Sequence, residues 1–171
     1  MNKLEVDAFK FTGRLIKKLI TESIDASEPP TRIPWTPVTK PLANSKVALL
    51  STAGISMLDD EPFDMETERE RRNWGDPSWR KISDKATSQD VQVSHLHIDT
   101  QYIERDINVA LPLTRLETLV DRGVVGASAN THYSIMGFQG NDASTLENVS
   151  GPEIAASMQN DAVDLALLAP V

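Results

Sequence analysis

The three histidines of this chain lie in two short segments, SHLHID at residues 94–99 and NTHYS at residues 130–134. Residues 91–98 alternate as a strand would, which places His95 and His97 on one face. With Asp99 or His132 they could supply three nitrogen or oxygen ligands to a metal ion. The same groups could instead orient a substrate or transfer protons, because imidazole titrates near neutral pH. We favour the second interpretation and assign no metal site.

A second set of polar atoms follows the first predicted strand. Residues 46–51, KVALLS, form a short apolar run that predicts a buried parallel strand, and residues 51–54, STAG, predict the turn after it. The hydroxyls of Ser51 and Thr52 and the backbone N–H groups up to Gly54 could hold an anion such as a carboxylate. A plain turn would have much the same composition, so both interpretations stay open.

Residues 59–90 are rich in charge and predict a long excursion over the surface, with one short helix near residues 66–72. Within it, the sequence WGDPSWR at residues 74–80 combines two indoles, a turn and an arginine. This segment predicts either a turn anchored by aromatic packing or a lid over a binding site.

Further along the chain, strands and helices alternate. Pro112 and Gly123 bracket a predicted helix, and Ser150 and Glu153 have the spacing of a capping box at the start of a second one, which ends near Asn160. Residues 124–127 and 163–169 predict strands, the last of them buried. This alternation indicates a three-layer α/β domain with a mainly parallel sheet. Ligands of such sheets bind beyond the carboxyl ends of the strands.

The first forty residues differ from this pattern. Apolar residues at helical spacing in residues 1–20 predict an amphipathic helix, and five of the ten prolines fall in residues 29–41, which predicts an extended arm. We therefore expect a helix and proline-rich arm over residues 1–41, followed by an α/β domain over residues 42–171.

Charge and composition exclude several classes of function. The chain carries 25 acidic and 17 basic residues, a balance that argues against nucleic-acid binding. It has no apolar run of membrane-spanning length, and charges spread through residues 1–20 do not fit a signal peptide, so we expect a cytoplasmic protein that does not bind membranes. With no cysteine, disulfides and thiolate metal sites within this chain are excluded.

Several ordered segments resemble one protein family. These segments are VALLSTAGISMLDDEPFD, GDPSWRKI, SHLHIDTQYIERDINVALPLTRLETLVDRGVVG, HYSIMGFQG and VDLALLAPV. In this order they are similar to the selenoprotein B subunits of the glycine, sarcosine and betaine reductases and to the related D-proline reductases, over about residues 45–171. In that family, the segment resembling LLAPV is followed by a redox motif in which selenocysteine or cysteine stands a few residues before another cysteine. We expect the 171-residue sequence to end at a UGA codon that encodes selenocysteine, so that the nucleophile follows Val171 and this chain alone is inactive.

The resemblance implies a reaction and its partners. A selenol is far more ionised than a thiol at neutral pH. Its selenolate would attack the substrate carbon that bears the amine, release the amine and leave a selenoether for other reductase subunits to process. It implies a small amine-bearing substrate, an oligomeric assembly and no cofactor in this chain beyond the expected selenocysteine. The residues expected to bind the substrate carboxylate or to assist proton transfer are Ser51, Thr52, Gly54, His95, His97, Asp99, His132 and Tyr133.

Two other functions remain open. The chain could be a noncatalytic α/β module that binds a small ligand or regulates a partner. It could also be a metal-dependent enzyme that uses the three histidines.

Overall fold

A computed structural model describes residues 13–26, 36–71, 73–140 and 142–171. Contacts divide the chain into two units, Met1–Pro37 and Val38–Val171. In the first unit, the structure describes helix α1, Arg14–Ala26, which exposes the apolar side chains of Leu15 and Ile16. The rest of the predicted N-terminal helix and most of the proline-rich arm lie outside the described residues. The boundary expected after residue 41 stays a prediction.

The second unit contains four helices and seven strands among its described residues. The helices are α2 (Met65–Glu70), α3 (Gln101–Arg105), α4 (Leu113–Asp121) and α5 (Gly151–Asn160). The strands are β1 (Lys46–Ser51), β2 (Ile55–Met57), β3 (Trp79–Ser83), β4 (Val91–Val93), β5 (Ala127–Ser128), β6 (Thr131–Ile135) and β7 (Leu165–Ala169). None of the described helices is long and apolar enough to cross a membrane.

Strand β1 is the centre of the main sheet. It pairs in parallel with β7 along one edge, and on the other edge with β5 at its start and β6 at its end. Strand β3 continues the sheet by antiparallel pairing with β6, while β2 and β4 form a separate antiparallel pair. The sheet is therefore mixed and mostly parallel, which confirms the predicted α/β class.

Alternation along β1 distributes its side chains between two hydrophobic clusters. Val47 and Leu49 pack in a cluster that includes Leu116 of α4, whereas Ala48 packs with Tyr133 and with Ile154 of α5. Helices thus cover both faces of the sheet. This packing explains why residues 47–50 are apolar without interruption: each face of a central parallel strand is buried.

Several predicted elements differ from the observed ones. The strand expected over residues 124–127 is Ala127–Ser128, and the surface excursion expected over residues 59–90 contributes β3 to the main sheet, where Ile82 is buried. The strand expected over residues 91–98 ends at Val93, because His95 Nδ1 accepts the backbone N–H of His97 at 3.0 Å and this local bond turns the chain. The prediction that the last strand is buried is wrong: within the described residues β7 pairs only with β1, and Leu168 is 64% exposed. The expected capping box does not form, since Ser150 ends a π-helical turn and donates to the carbonyl of Pro77.

Candidate functional site

Three segments meet at the carboxyl end of β1. The N–H of Gly54 donates to Ile135 of β6, and the carbonyl of Gly54 accepts from Ser94, just after β4. Gly54 has φ +64°, and a Cβ there would lie 2.2 Å from the carbonyl oxygen of Ser94. Only glycine permits this approach without displacing the backbone. The turn after β1, the loop after β4 and the end of β6 therefore form one edge of the fold.

The backbone N–H groups of the turn at residues 51–54 already donate hydrogen bonds within the protein. Thr52 donates to Ala169, Ala53 donates to Ser51 Oγ at 3.2 Å, and Gly54 donates to Ile135. These contacts do not favour the anion cradle that the sequence suggested. Ser51 is fully buried, and the hydroxyl of Thr52 is the half-buried polar group that this turn presents.

The end of β7 reaches the same edge. The backbone N–H of Val171 donates to Thr52 Oγ1 at 2.9 Å, and the carbonyl of Thr52 accepts from Gly137 at 3.0 Å. Gly137 is the first residue of the loop 137–140, and Phe138 follows it. Val171, Thr52 and the loop after β6 are thus joined by direct hydrogen bonds.

Two of the expected histidines lie beside this loop. The ring centroid of His97 is 5.7 Å from that of Phe138 and 5.9 Å from that of His95. Burial, and then the neighbouring His97, lower the pKa of His95, so its imidazole is neutral at pH 7. His95 Nδ1 accepts the N–H of His97, and the proton of the neutral ring therefore lies on Nε2.

A buried carboxylate completes the group. Glu68 of α2 has a side chain only 2% exposed, and its Oε1 lies 3.3 Å from Nε2 of His97. Burial raises the pKa of Glu68, while the charge of His97 opposes this shift. The residues that line a cavity of about 360 Å³ are Glu68, Arg69, Leu96, His97 and Phe138.

Part of the charged excursion, residues 74–76, packs against the loop that carries Phe138 or is held by backbone hydrogen bonds. Trp74 pairs with Gly140 in an isolated β-bridge, and a Cβ on Gly75 would lie 1.8 Å from the carbonyl oxygen of Phe138. Asp76 is buried and accepts from the backbone N–H groups of Asp64 and Ser78, each at 2.8 Å. The segment is thus an anchored turn, as the first of the two interpretations predicted: besides these backbone contacts, the ring of Trp79 packs 5.9 Å from that of Tyr133.

The remaining candidates lie elsewhere. His132 is fully buried, where its Nδ1 accepts the N–H of Leu49, and burial lowers its pKa to about 4. Tyr133 is also buried, and its hydroxyl donates to Ser157 Oγ at 3.0 Å. Asp99 is exposed and accepts from both the backbone and the side chain of Gln101. Direct contact of these three side chains with a substrate stays a prediction that their surroundings do not favour.

Within the described ranges, no three histidine, aspartate or glutamate side chains converge as a metal site would require. His95 and His97 lie in the loop after β4, whereas the buried His132 lies in β6. The three-histidine metal site therefore gains no support.

No pattern in the sequence indicated Glu68 or Phe138 as site residues. Glu68 lies in METERE, where surrounding charges indicate a solvated face, and α2 is too short for helical periodicity to mark one buried position. Phe138 lies between Gly137 and Gln139 in a loop that has no regular pattern. The position of both follows from contacts between segments distant in sequence.

Comparison with known proteins gives the family. The family model described as glycine/sarcosine/betaine reductase selenoprotein B matches residues 12–170. The D-proline reductase subunit gamma of Acetoanaerobium sticklandii is 36% identical over 134 residues, which cover 78% of this chain and 52% of that protein. The chain thus spans about half the length of this curated relative. No solved structure matches. The matched range and the identity show that this chain belongs to the glycine/sarcosine/betaine reductase selenoprotein B family.

Proposed function

We propose that this chain is the N-terminal part of a reductase subunit that cleaves a C–N bond of a small amine. Family membership over residues 12–170 supports a reductase-type subunit, and the identity to D-proline reductase subunit gamma supports the same class. Whether the amine is glycine, an N-methylated form, proline or another compound is left open by this proposal.

The observation that carries the proposal is the hydrogen bond between Val171 and Thr52. It holds the end of the LALLAPV segment at the edge where the loops carrying His97 and Phe138 meet. A selenocysteine or cysteine placed shortly after Val171 would therefore lie close to these side chains. That residue would supply the nucleophile that replaces the departing nitrogen on carbon, while a dithiol of another subunit would supply the two electrons of the reduction.

Residues of this chain would bind the substrate and handle its proton. His95, neutral with its proton on Nε2, can donate a hydrogen bond to a substrate carboxylate. His97 is more than half exposed and can deliver a proton to the departing nitrogen, which leaves with the electron pair of the broken C–N bond. The Thr52 hydroxyl would orient the chain that continues from β7.

Other subunits and an oligomeric assembly are part of the proposal, because the relative is named as one subunit of an enzyme. A cytoplasmic location belongs to it as well, since free selenols and thiols stay reduced there.

The test is the nucleotide sequence after codon 171, combined with the intact mass of the protein from its native host grown with selenium. A UGA codon or a Cys codon, an open frame and a longer selenium- or cysteine-containing product would support the proposal. A UAA or UAG codon with no continuing frame, together with a native mass near 18.8 kDa, would overturn it and favour a noncatalytic module that binds a small ligand.

A further inference from the structure

Glu68 is a buried carboxylate that contacts the ring of His97. Its side chain is 2% exposed, and neither oxygen has a hydrogen-bond partner of regular geometry among the described residues. Its Oε1 lies 3.3 Å from Nε2 of His97, which is the ion-pair contact that Glu68 makes in this part of the chain. Burying a carboxylate with so few partners costs free energy. A fold that retains such a group beside a site points to a role for it in that site.

The position of Glu68 is fixed by the start of helix α2. Asp64 caps the helix by accepting the backbone N–H of Thr67 at 2.9 Å, and the N–H of Asp64 donates to Asp76 Oδ2 at 2.8 Å. Asp76 is itself buried and accepts from the N–H of Ser78. Because this turn is anchored on both sides, its carboxylate can hold a facing ring in one orientation.

The contact requires a hydrogen atom between Oε1 of Glu68 and Nε2 of His97. Without one, two acceptor atoms would face each other at 3.3 Å in an enclosed space, an arrangement that is repulsive. Burial, and to a smaller extent Asp76, raises the pKa of Glu68, whereas the positive charges of His97 and Arg69 oppose this rise. Imidazole has an ordinary pKa of about 6.5 and a carboxyl group one of about 4.3, which favours the hydrogen on Nε2.

The second ring nitrogen of His97 is then the one that exchanges a proton. A neutral imidazole has one N–H and one lone pair, so a hydrogen held on Nε2 leaves the lone pair on Nδ1. Among the described residues, none makes a hydrogen bond to this Nδ1. The side chain of His97 is 58% exposed and lines the cavity of about 360 Å³, while the ring of Phe138 bounds it at a centroid distance of 5.7 Å.

We propose that Glu68 is the positioning residue of His97: it holds the Nε2–H tautomer and so leaves proton uptake and release to Nδ1. In the reaction, which rests on the proposed function, Nδ1 of protonated His97 gives its proton to the departing nitrogen, and that nitrogen keeps the electron pair of the broken C–N bond. The ring is left neutral, with its Nε2–H still facing the carboxylate. His97 thus passes between its charged and neutral forms without rotating.

The experiment records ¹⁵N NMR spectra of the histidine rings in the full 171-residue chain, at alkaline pH where the imidazoles are neutral. We expect Nε2 of His97 to give the signal of an N–H nitrogen and Nδ1 that of a bare nitrogen. Glu68→Gln should lower the ratio of the Nε2–H to the Nδ1–H tautomer at least about tenfold, because a neutral amide replaces a charged acceptor. A merely structural role of Glu68 would leave this ratio unchanged.

Glu70→Gln is the matched control, because it removes the same charge from an exposed position two residues away on α2. It should leave the tautomer ratio of His97 unchanged. Equal ratios in the wild type and in Glu68→Gln, or equal changes in the two variants, would overturn the proposal.

The wild-type chain alone provides a further test, which holds even if Glu68→Gln fails to fold. An Nδ1–H tautomer of His97, or a ¹³C signal of a protonated Glu68 carboxyl group beside a bare Nε2, would overturn the proposal. These spectra need no nucleophile, so their outcome is independent of the codons beyond position 171. A true stop codon together with the expected tautomer would leave the role of Glu68 standing and overturn only the transfer of the proton to the departing nitrogen.

Discussion

The backbone N–H of Leu49 donates a hydrogen bond of 2.9 Å to Nδ1 of His132, so an imidazole links β1 to β6 inside the core. On the other side of the ring, Nε2 lies 3.3 Å from Ser128 Oγ. With Nδ1 accepting, the neutral ring carries its proton on Nε2. His132 thus holds the two strands whose carboxyl ends form the candidate site.

This link predicts a loss of stability in mild acid. Burial lowers the pKa of His132 from 6.5 to about 4, so the unfolded chain binds the proton more readily than the folded one. The contribution of neutral His132 to the free energy of unfolding is fully present above pH 6.5 and is lost as the pH falls toward 4. This contribution amounts to about 3 kcal/mol at most. Urea unfolding at several pH values measures it.

The variant His132→Asn tests the assignment, because its amide oxygen can accept from Leu49 but does not titrate. We expect its stability to change less than that of the wild type between pH 6.5 and 4. If the free energy of unfolding of His132→Asn depends on pH as steeply as that of the wild type, other groups cause the loss.

Glu68→Gln should stabilise the protein at pH 7. Burial of the carboxylate raises its pKa, so the folded state favours the protonated form and gains stability as the pH falls through that raised pKa toward 4.5. A neutral amide costs less to bury, and we expect a gain of about 1 kcal/mol in the free energy of unfolding. The exposed control Glu70→Gln should stay within about 0.5 kcal/mol of the wild type. A destabilised Glu68→Gln variant would mean that the charge is well compensated.

Gly54→Ala should destabilise the fold strongly. The new methyl group would collide with the carbonyl of Ser94 and with Met136 Sδ, in addition to the strain of a positive φ. Gly123→Ala is a matched control, since Gly123 has φ +69° and open space around it. By urea unfolding, we expect the free energy of unfolding to fall by about 1 kcal/mol in the control and by at least about 3 kcal/mol in Gly54→Ala. Equal losses would show that the close approach at Ser94 can relax.

Thr52→Val should loosen the end of β7. The substitution keeps the shape of the side chain and removes the oxygen that accepts the N–H of Val171. A net loss near 1 kcal/mol corresponds to about fivefold faster amide hydrogen exchange at Val171. Thr118→Val, which removes a hydroxyl bond within α4, should leave that exchange unchanged. No difference between the two variants would remove Thr52 from the proposed orientation of the segment after Val171.

Local patterns in the sequence were sufficient to predict much of the fold and to identify the family. The apolar run at residues 47–50 identified β1, and Pro112 and Gly123 bracketed α4, because burial of both strand faces and the fixed φ of proline act on the chain locally. The order of the similar segments identified the reductase family, which the matched range confirms.

The site itself depended on tertiary structure. Local spacing was enough to place His95 and His97 near a strand end, where ligands of such sheets bind. Only the folded structure decided that His132 is buried, that β7 is an exposed edge strand, and that Glu68 comes to lie 3.3 Å from His97. The physical reason is that the burial, and hence the charge and hydrogen bonding, of these residues is set by segments far away in the chain, whose approach no local spacing encodes.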